Sequence, residues 1–316
     1  MKNIFITVLK RSRRTWLALL FATLLINDAM ACEICGCSIN GYHFGILPQW
    51  KKNLIGMRYS YKGFHSQHLI SEQLGILGST STEYYNSVEL WGRFYLGKKL
   101  QVFAFVPYNY YNQNEPAVKT TASGIGDITI AANYTLYNDA SNKDKIFKQT
   151  LLAGGGIKLP AGKFKSSKAG EVLNPSMNSG SGSVDYLTNM IYTCRLKRIG
   201  LNLDASYRIN SQNKEEFKYG NRFTTAAKFF YWKDIGKKLS LLPNAGLLYE
   251  HAAQDQHHTE IQNYSGGEIT WFTAGVEGYA GKINIGFTYN HPVAQNMSKG
   301  LVNSNDTFSA NITFMF

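Results

Sequence analysis

From about Leu54 to Phe316 the chain repeats one unit: a run of about ten residues in which apolar and polar side chains alternate, then a break of Gly, Asn, Asp, Ser or Lys. Alternation with a period of two is the mark of a strand with two unlike faces. Ile128, Ile130, Ala132, Tyr134 and Leu136 form one face of such a segment, and Asp127, Thr129, Asn133 and Thr135 the other. Leu201, Leu203, Ala205, Tyr207 and Ile209 alternate with Asn202, Asp204, Ser206, Arg208 and Asn210. The same holds for Ile283, Ile285, Phe287 and Tyr289, and for Phe308, Ala310, Ile312, Phe314 and Phe316.

Alternation fits either a soluble sandwich or a barrel in lipid, so connection length has to decide between them. Strands are predicted at 52–61, 85–96, 99–109, 126–137, 148–159, 183–196, 199–210, 221–232, 238–250, 268–280, 282–291 and 306–316. The connections at Gly97-Lys98, Lys197-Arg198, Lys233 to Lys237 and Gly281 are tight, and 138–147 is intermediate. Those at 62–84, 110–125, 160–182, 251–267 and 292–305 are long. Regular exchange of short and long connections matches the inner turns and outer loops of an outer-membrane barrel. The expectation is an all-β, transmembrane, antiparallel up-and-down barrel of about twelve strands. A last strand ending on Phe316 is read as the signal taken by the barrel assembly machinery.

The start of the chain fits export. Lys2, Lys10, Arg11, Arg13 and Arg14 make a basic segment, Trp16 to Ile26 a short apolar one, and Ala29-Met30-Ala31 a small-x-small site before Cys32. The apolar run is well short of the roughly 20 residues that span a bilayer. The chain divides into a signal peptide at 1–31, a Cys-rich periplasmic segment at 32–50 and a transmembrane barrel at 51–316. The formal net charge is +12, but five of the cations belong to the signal and the rest are dispersed, so nucleic acid is not an expected partner. Outer-membrane lipid and a small-molecule solute are.

The segment Gly124-Ile125-Gly126-Asp127-Ile128-Thr129-Ile130, with Ala131-Ala132-Asn133-Tyr134 after it, resembles the glycine–aspartate strand opening of the phenol meta-pathway family of outer-membrane proteins. That family is similar to the long-chain fatty-acid porins. The resemblance implies a porter or channel for small molecules, apolar or aromatic ones included. The fatty-acid porins also carry an N-terminal plug, for which the eighteen or so residues before the first strand are too few.

By parity Glu89 and Arg93 share the inward face of one strand with Trp91 and Tyr95, and Asp127, Asp204, Arg208, Arg222, Lys228 and Glu277 point inward elsewhere. Charges of both signs in a lumen either select solutes or pair across strands to fill a narrow barrel. Cys32, Cys35 and Cys37, with His43 behind them, keep three readings open: disulfide or idle thiols, a soft metal ion, or lipidation at Cys32. The metal reading gives the alternative function, copper or zinc handling. Otherwise no cofactor is expected.

Cys194 falls on an apolar face and is read as inert packing against lipid. His251, His257 and His258 with Asp255 and Glu260, and separately His65 and His68, sit in outer loops as either metal ligands or solvated side chains. No G-x-S-x-G, H-E-x-x-H or phosphate-binding loop occurs, so no enzyme is expected. Ser179-Gly180-Ser181-Gly182-Ser183 reads as a flexible linker.

Overall fold

The computed structural model describes residues 53–71, 76–116, 118–140, 142, 144–165, 167–168, 171–172, 174–236 and 238–316. The expected signal peptide and the Cys-rich segment, with Cys32, Cys35, Cys37 and His43, lie outside the described residues. The rest folds as one closed, antiparallel barrel of twelve staves. They are β1 (Leu54–Ser71), β2 (Ile76–Leu96), β3 (Leu100–Asn114), β4 (Lys119–Ile125, resuming as Ile128–Asn138), β5 (Phe147–Leu159) and β6 (Asp185–Leu196). The circuit continues with β7 (Ile199–Ile209), β8 (Arg222–Tyr231), β9 (Leu239–Ala252), β10 (Gly267–Ala280), β11 (Ile283–Met297) and β12 (Val302–Ser304, resuming as Thr307–Met315). Pairing from Leu54↔Met315 to Tyr61↔Phe308 closes the last stave onto the first and leaves no sheet edge there.

Each predicted strand is present. The tight turns reverse the chain through left-handed residues: Gly97, Lys197, Gly236 and Gly281 have φ of 73°, 54°, 64° and 60°. A two-residue hairpin needs that backbone, and glycine adopts it without a Cβ penalty. The outer ends differ from expectation. The connections predicted at 62–84 and 110–125 are mostly strand, because β1 runs on to Ser71, β2 starts at Ile76, β3 runs on to Asn114 and β4 starts at Lys119. These extensions rise past the apolar belt, where neither face has to be apolar, so their alternation is blurred. β11 likewise runs six residues beyond its expected end, to Met297.

The outside of the barrel carries the apolar residues and the inside the polar ones. Leu90, Leu136, Phe229 and Ile285 are 53%, 55%, 63% and 59% exposed on the outer surface. So large an apolar belt is tolerated only against lipid. Among the described residues no helix is long and apolar enough to cross a membrane; the strands make the crossing, and the closed barrel is an outer-membrane protein. Cys194 lies on the lipid side with Met190 and Leu196.

Candidate functional site: the barrel lumen

The inward faces build three layers. At the inner mouth, where the tight turns lie, Leu54, Trp91, Phe103, Phe105, Leu152, Ile191, Phe230, Leu242, Tyr279 and Met315 form an apolar cluster. Trp91 stacks on Phe105 at 6.3 Å between centroids, and Trp232 on Tyr279 at 5.9 Å. Guanidinium groups cover this aromatic surface, Arg58 over Trp91 at 5.2 Å and Arg93 over Tyr95 at 5.3 Å.

The middle layer is charged. Arg58 Nη1 meets Glu89 Oε1 at 3.3 Å. Lys228 is buried under the influence of Asp204 and Glu277, and Asn284 Nδ2 donates to Glu277 at 2.8 Å. Glycine makes room for these long side chains. Gly286 stands opposite Glu277, Gly246 opposite Lys228, Gly154 opposite Asn133 and Gly200 opposite Phe230. A Cβ on Gly200 would come within 2.1 Å of the Phe230 ring. The glycine-rich strands are therefore the packing complement of a filled lumen.

The outer layer is made by the connection between β5 and β6. Instead of standing in solvent, it folds into the barrel. Its anchor is Asp127, which projects inward from the break in β4 and accepts from Gly162 N (3.1 Å), Ser181 N (2.8 Å) and Ser181 Oγ (2.6 Å). Lys158 Nζ lies 3.1 Å from Asp127 and also contacts Asp185, which accepts from Ser183 Oγ at 2.8 Å and Ser211 N at 3.0 Å. Further along, a 3₁₀ turn at Pro175–Met177 is capped by Asn174, its Ser176 Oγ lies 3.0 Å from the Tyr85 hydroxyl, and Tyr219 donates to Pro175 O at 2.7 Å. Met177 enters a second apolar cluster with Phe64, Tyr85, Tyr111, Ile269, Trp271, Met297 and Val302. The serine–glycine tract is thus fixed structure and not a linker. Gly180 packs on Gly162, where a Cβ would lie 2.5 Å from the Gly162 Cα.

All eight sequence-derived lumen candidates project inward, but the structure divides them. Glu89 is paired with Arg58, Arg93 lies at the inner mouth, and Asp204, Lys228 and Glu277 make the middle layer. Asp127 anchors the loop, while Arg208 and Arg222 line a small cleft beneath it. Arg222 Nη1 meets Glu250 Oε1 at 3.2 Å. Sequence reasoning missed Lys158, Asp185 and Glu250. Lys158 has the same parity as Thr150 and Leu152, and Glu250 the same as Leu242, so the signal was present at strand ends.

The histidine groups are dispersed. His258 contacts Glu216, and Asp255 is turned inward to accept from Gly220 N at 2.7 Å. His68 Nε2 is 2.8 Å from Ser81 Oγ while His65 is exposed. Among the described residues no three His, Cys, Asp or Glu side chains converge as a metal site would require. Phe316 donates its backbone N–H to Asn53 O at 2.9 Å and leaves its ring exposed.

Solved structures share this architecture. An outer membrane channel from Pseudomonas putida F1 superposes with a TM-score of 0.63 at 14% identity, over 86% of this chain and 100% of that one. The β domain of the Bordetella autotransporter BrkA gives 0.50 at 11% identity, over 84% and 100%. At this identity the likeness is one of fold. No curated protein matches the chain. A family model does match, over residues 76–294, which spans both the glycine–aspartate break and the inward loop. The chain belongs to the family described as "putative MetA-pathway of phenol degradation".

Proposed function

We propose that the chain is a channel through which small solutes, apolar and aromatic ones among them, cross the outer membrane. The observation that carries this reading is a set of lumen polar atoms with no hydrogen-bond partner among the described residues. Both amide atoms of Asn133, both of Asn189, Thr273 Oγ1 and the indole N–H groups of Trp91 and Trp271 face inward unpaired. In a dry, packed interior each would cost about 1–3 kcal/mol, and native interiors rarely tolerate several such groups together. In this closed arrangement they are also shielded from water, so they are satisfied only when the lumen opens and admits water or solute. The apolar clusters at both ends and the inward loop then set a narrow, selective path instead of a wide pore.

The reading fits the fold shared with the Pseudomonas putida channel, and it makes the chain a conduit and not a catalyst. Its partners are the lipid around the belt, the solute and, during biogenesis, the machinery that inserts barrels. The test is swelling of liposomes containing the purified chain. Small uncharged solutes should enter at rates that fall steeply with solute size, and rates equal to empty liposomes for every solute would refute the proposal.

A further inference from the structure

Every tight turn of the barrel carries uncommitted positive charge. Lys98 and Lys99 follow β2, Lys197 follows β6, Lys233 and Lys238 flank the turn before β9, and Lys282 stands between β10 and β11. All are exposed, and none is in an ion pair among the described residues. The acids on this rim are largely taken. Lys145 meets Asp139 at 3.0 Å, while Ser240 and the Trp232 indole donate to Asp234, with Arg195 and Arg198 also acting on it. Asp144 is the remaining acid there among the described residues. The opposite rim differs, since Glu115, Glu216, Glu260, Glu268 and Asp306 stand among its lysines.

Two of the free lysines fix the depth of this ring. Lys99 Nζ lies 5.7 Å from the centroid of the Tyr134 ring, and Lys282 Nζ 5.7 Å from that of Phe314. Both rings belong to the lipid-facing surface, where they are 47% and 46% exposed. An ammonium held over an aromatic at the edge of the belt sits where hydrocarbon ends and lipid head groups begin. The tight turns of such barrels lie on the periplasmic side, so the leaflet that meets the ring is the phospholipid leaflet. Cations spread around the whole perimeter face many lipids and not one enclosed ligand, and their attraction is for negative surface charge.

We propose that the tight-turn rim is a docking ring for anionic phospholipid, with the free lysines on the head-group phosphates and Tyr134 and Phe314 against the upper acyl chains. The ring is independent of what the lumen conducts. The test is electron spin resonance of the full chain reconstituted in phosphatidylcholine bilayers, with spin-labelled phosphatidylglycerol or phosphatidylcholine as the probe. One lysine at an anionic lipid surface favours it about fivefold. Averaged with an indifferent opposite leaflet, phosphatidylglycerol should associate about two to three times as strongly as phosphatidylcholine. That preference should vanish in about 1 M salt, where charges are screened within about 3 Å. Lys98→Gln, Lys99→Gln, Lys233→Gln, Lys238→Gln and Lys282→Gln combined should bring the ratio close to one. Lys119→Gln with Lys299→Gln, on the opposite rim, should leave it unchanged.

Equal association of the two lipids with the unaltered chain would overturn the ring, and so would a preference that survives the combined substitutions or is lost equally in the Lys119 and Lys299 variant. If the combined variant does not assemble, the salt series on the unaltered chain decides alone, because a preference that persists at high salt contradicts lysines acting through charge.

Discussion

Replacing Asp127 by Ala removes a side chain that ties the inward loop to the barrel wall through three hydrogen bonds. Asp127 is 8% exposed and is the acceptor for three loop donors as well as the partner of Lys158 at 3.1 Å. Breaking a buried ion pair by deleting one partner costs about 3–5 kcal/mol. Lys158 keeps Asp185 in this case, so the lower end of that range applies. The Met177 contacts and the Tyr219 bond to Pro175 survive, so the loop should remain docked most of the time. About 3 kcal/mol still raises the undocked population on the order of 100-fold, at one power of ten per 1.4 kcal/mol.

The readout is the reactivity of Met177→Cys toward a membrane-impermeant maleimide added to intact cells. Met177 is 4% exposed, so a thiol there reacts only when the loop leaves the lumen. Its rate should rise on the order of 100-fold when Asp127→Ala is added, and single-channel recordings should show larger or more frequent openings. Equal labelling rates and identical currents in the two backgrounds would refute the claim that Asp127 holds the loop.

Three other consequences follow from named contacts. Gly154→Ala would place a methyl group 2.1 Å from the Ala132 carbonyl oxygen; forced apart there, the barrel should unfold at lower temperature by an amount equivalent to about 1–3 kcal/mol, read by heat-modified mobility on gels. In the turn before β9, hydrogen bonds from Ser240 and from the Trp232 indole hold the Asp234 carboxyl below the usual carboxylate range. Because its folded pKa is depressed, that support is fully present above the unfolded value of about 3.9 and is lost as pH falls through the folded value. Amide exchange in the turn should therefore be independent of this group from neutral pH down to that region, and Asp234→Asn should remove the acid-induced loosening. Cys194, on the lipid face, should react with an apolar maleimide in membranes and not with a charged one; equal reaction with both would contradict its placement.

The barrel was legible because lipid demands it: every stave must show the belt an apolar face, so the period of two survives in the segments around Ile130, Leu203 and Ile285. The turns were legible through Gly97, Gly236 and Gly281, whose backbone conformation few other residues share. What the sequence hid was the lumen's third dimension. The tract from Ser179 to Ser183 has linker composition, and only its meeting with Asp127 and Asp185, some fifty residues upstream and on the next stave, turns small polar residues into a latch. The pairing of glycines with long inward side chains, such as Gly286 with Glu277, depends on register, which parity within one strand does not reveal. The extensions of β1 to β4 were missed for the opposite reason, since above the belt no solvent imposes a pattern.

The central claim is that solute passes through the lumen, and the most direct measurement is current through single channels bearing Asn189→Cys. Asn189 is 5% exposed, faces the lumen and has no hydrogen-bond partner for either amide atom among the described residues. In the open, conducting state a charged thiosulfonate reagent should reach the thiol and reduce or block the current of this variant, and leave the unsubstituted chain unchanged. Current that persists at full size after modification, or no current from either protein, would contradict the account.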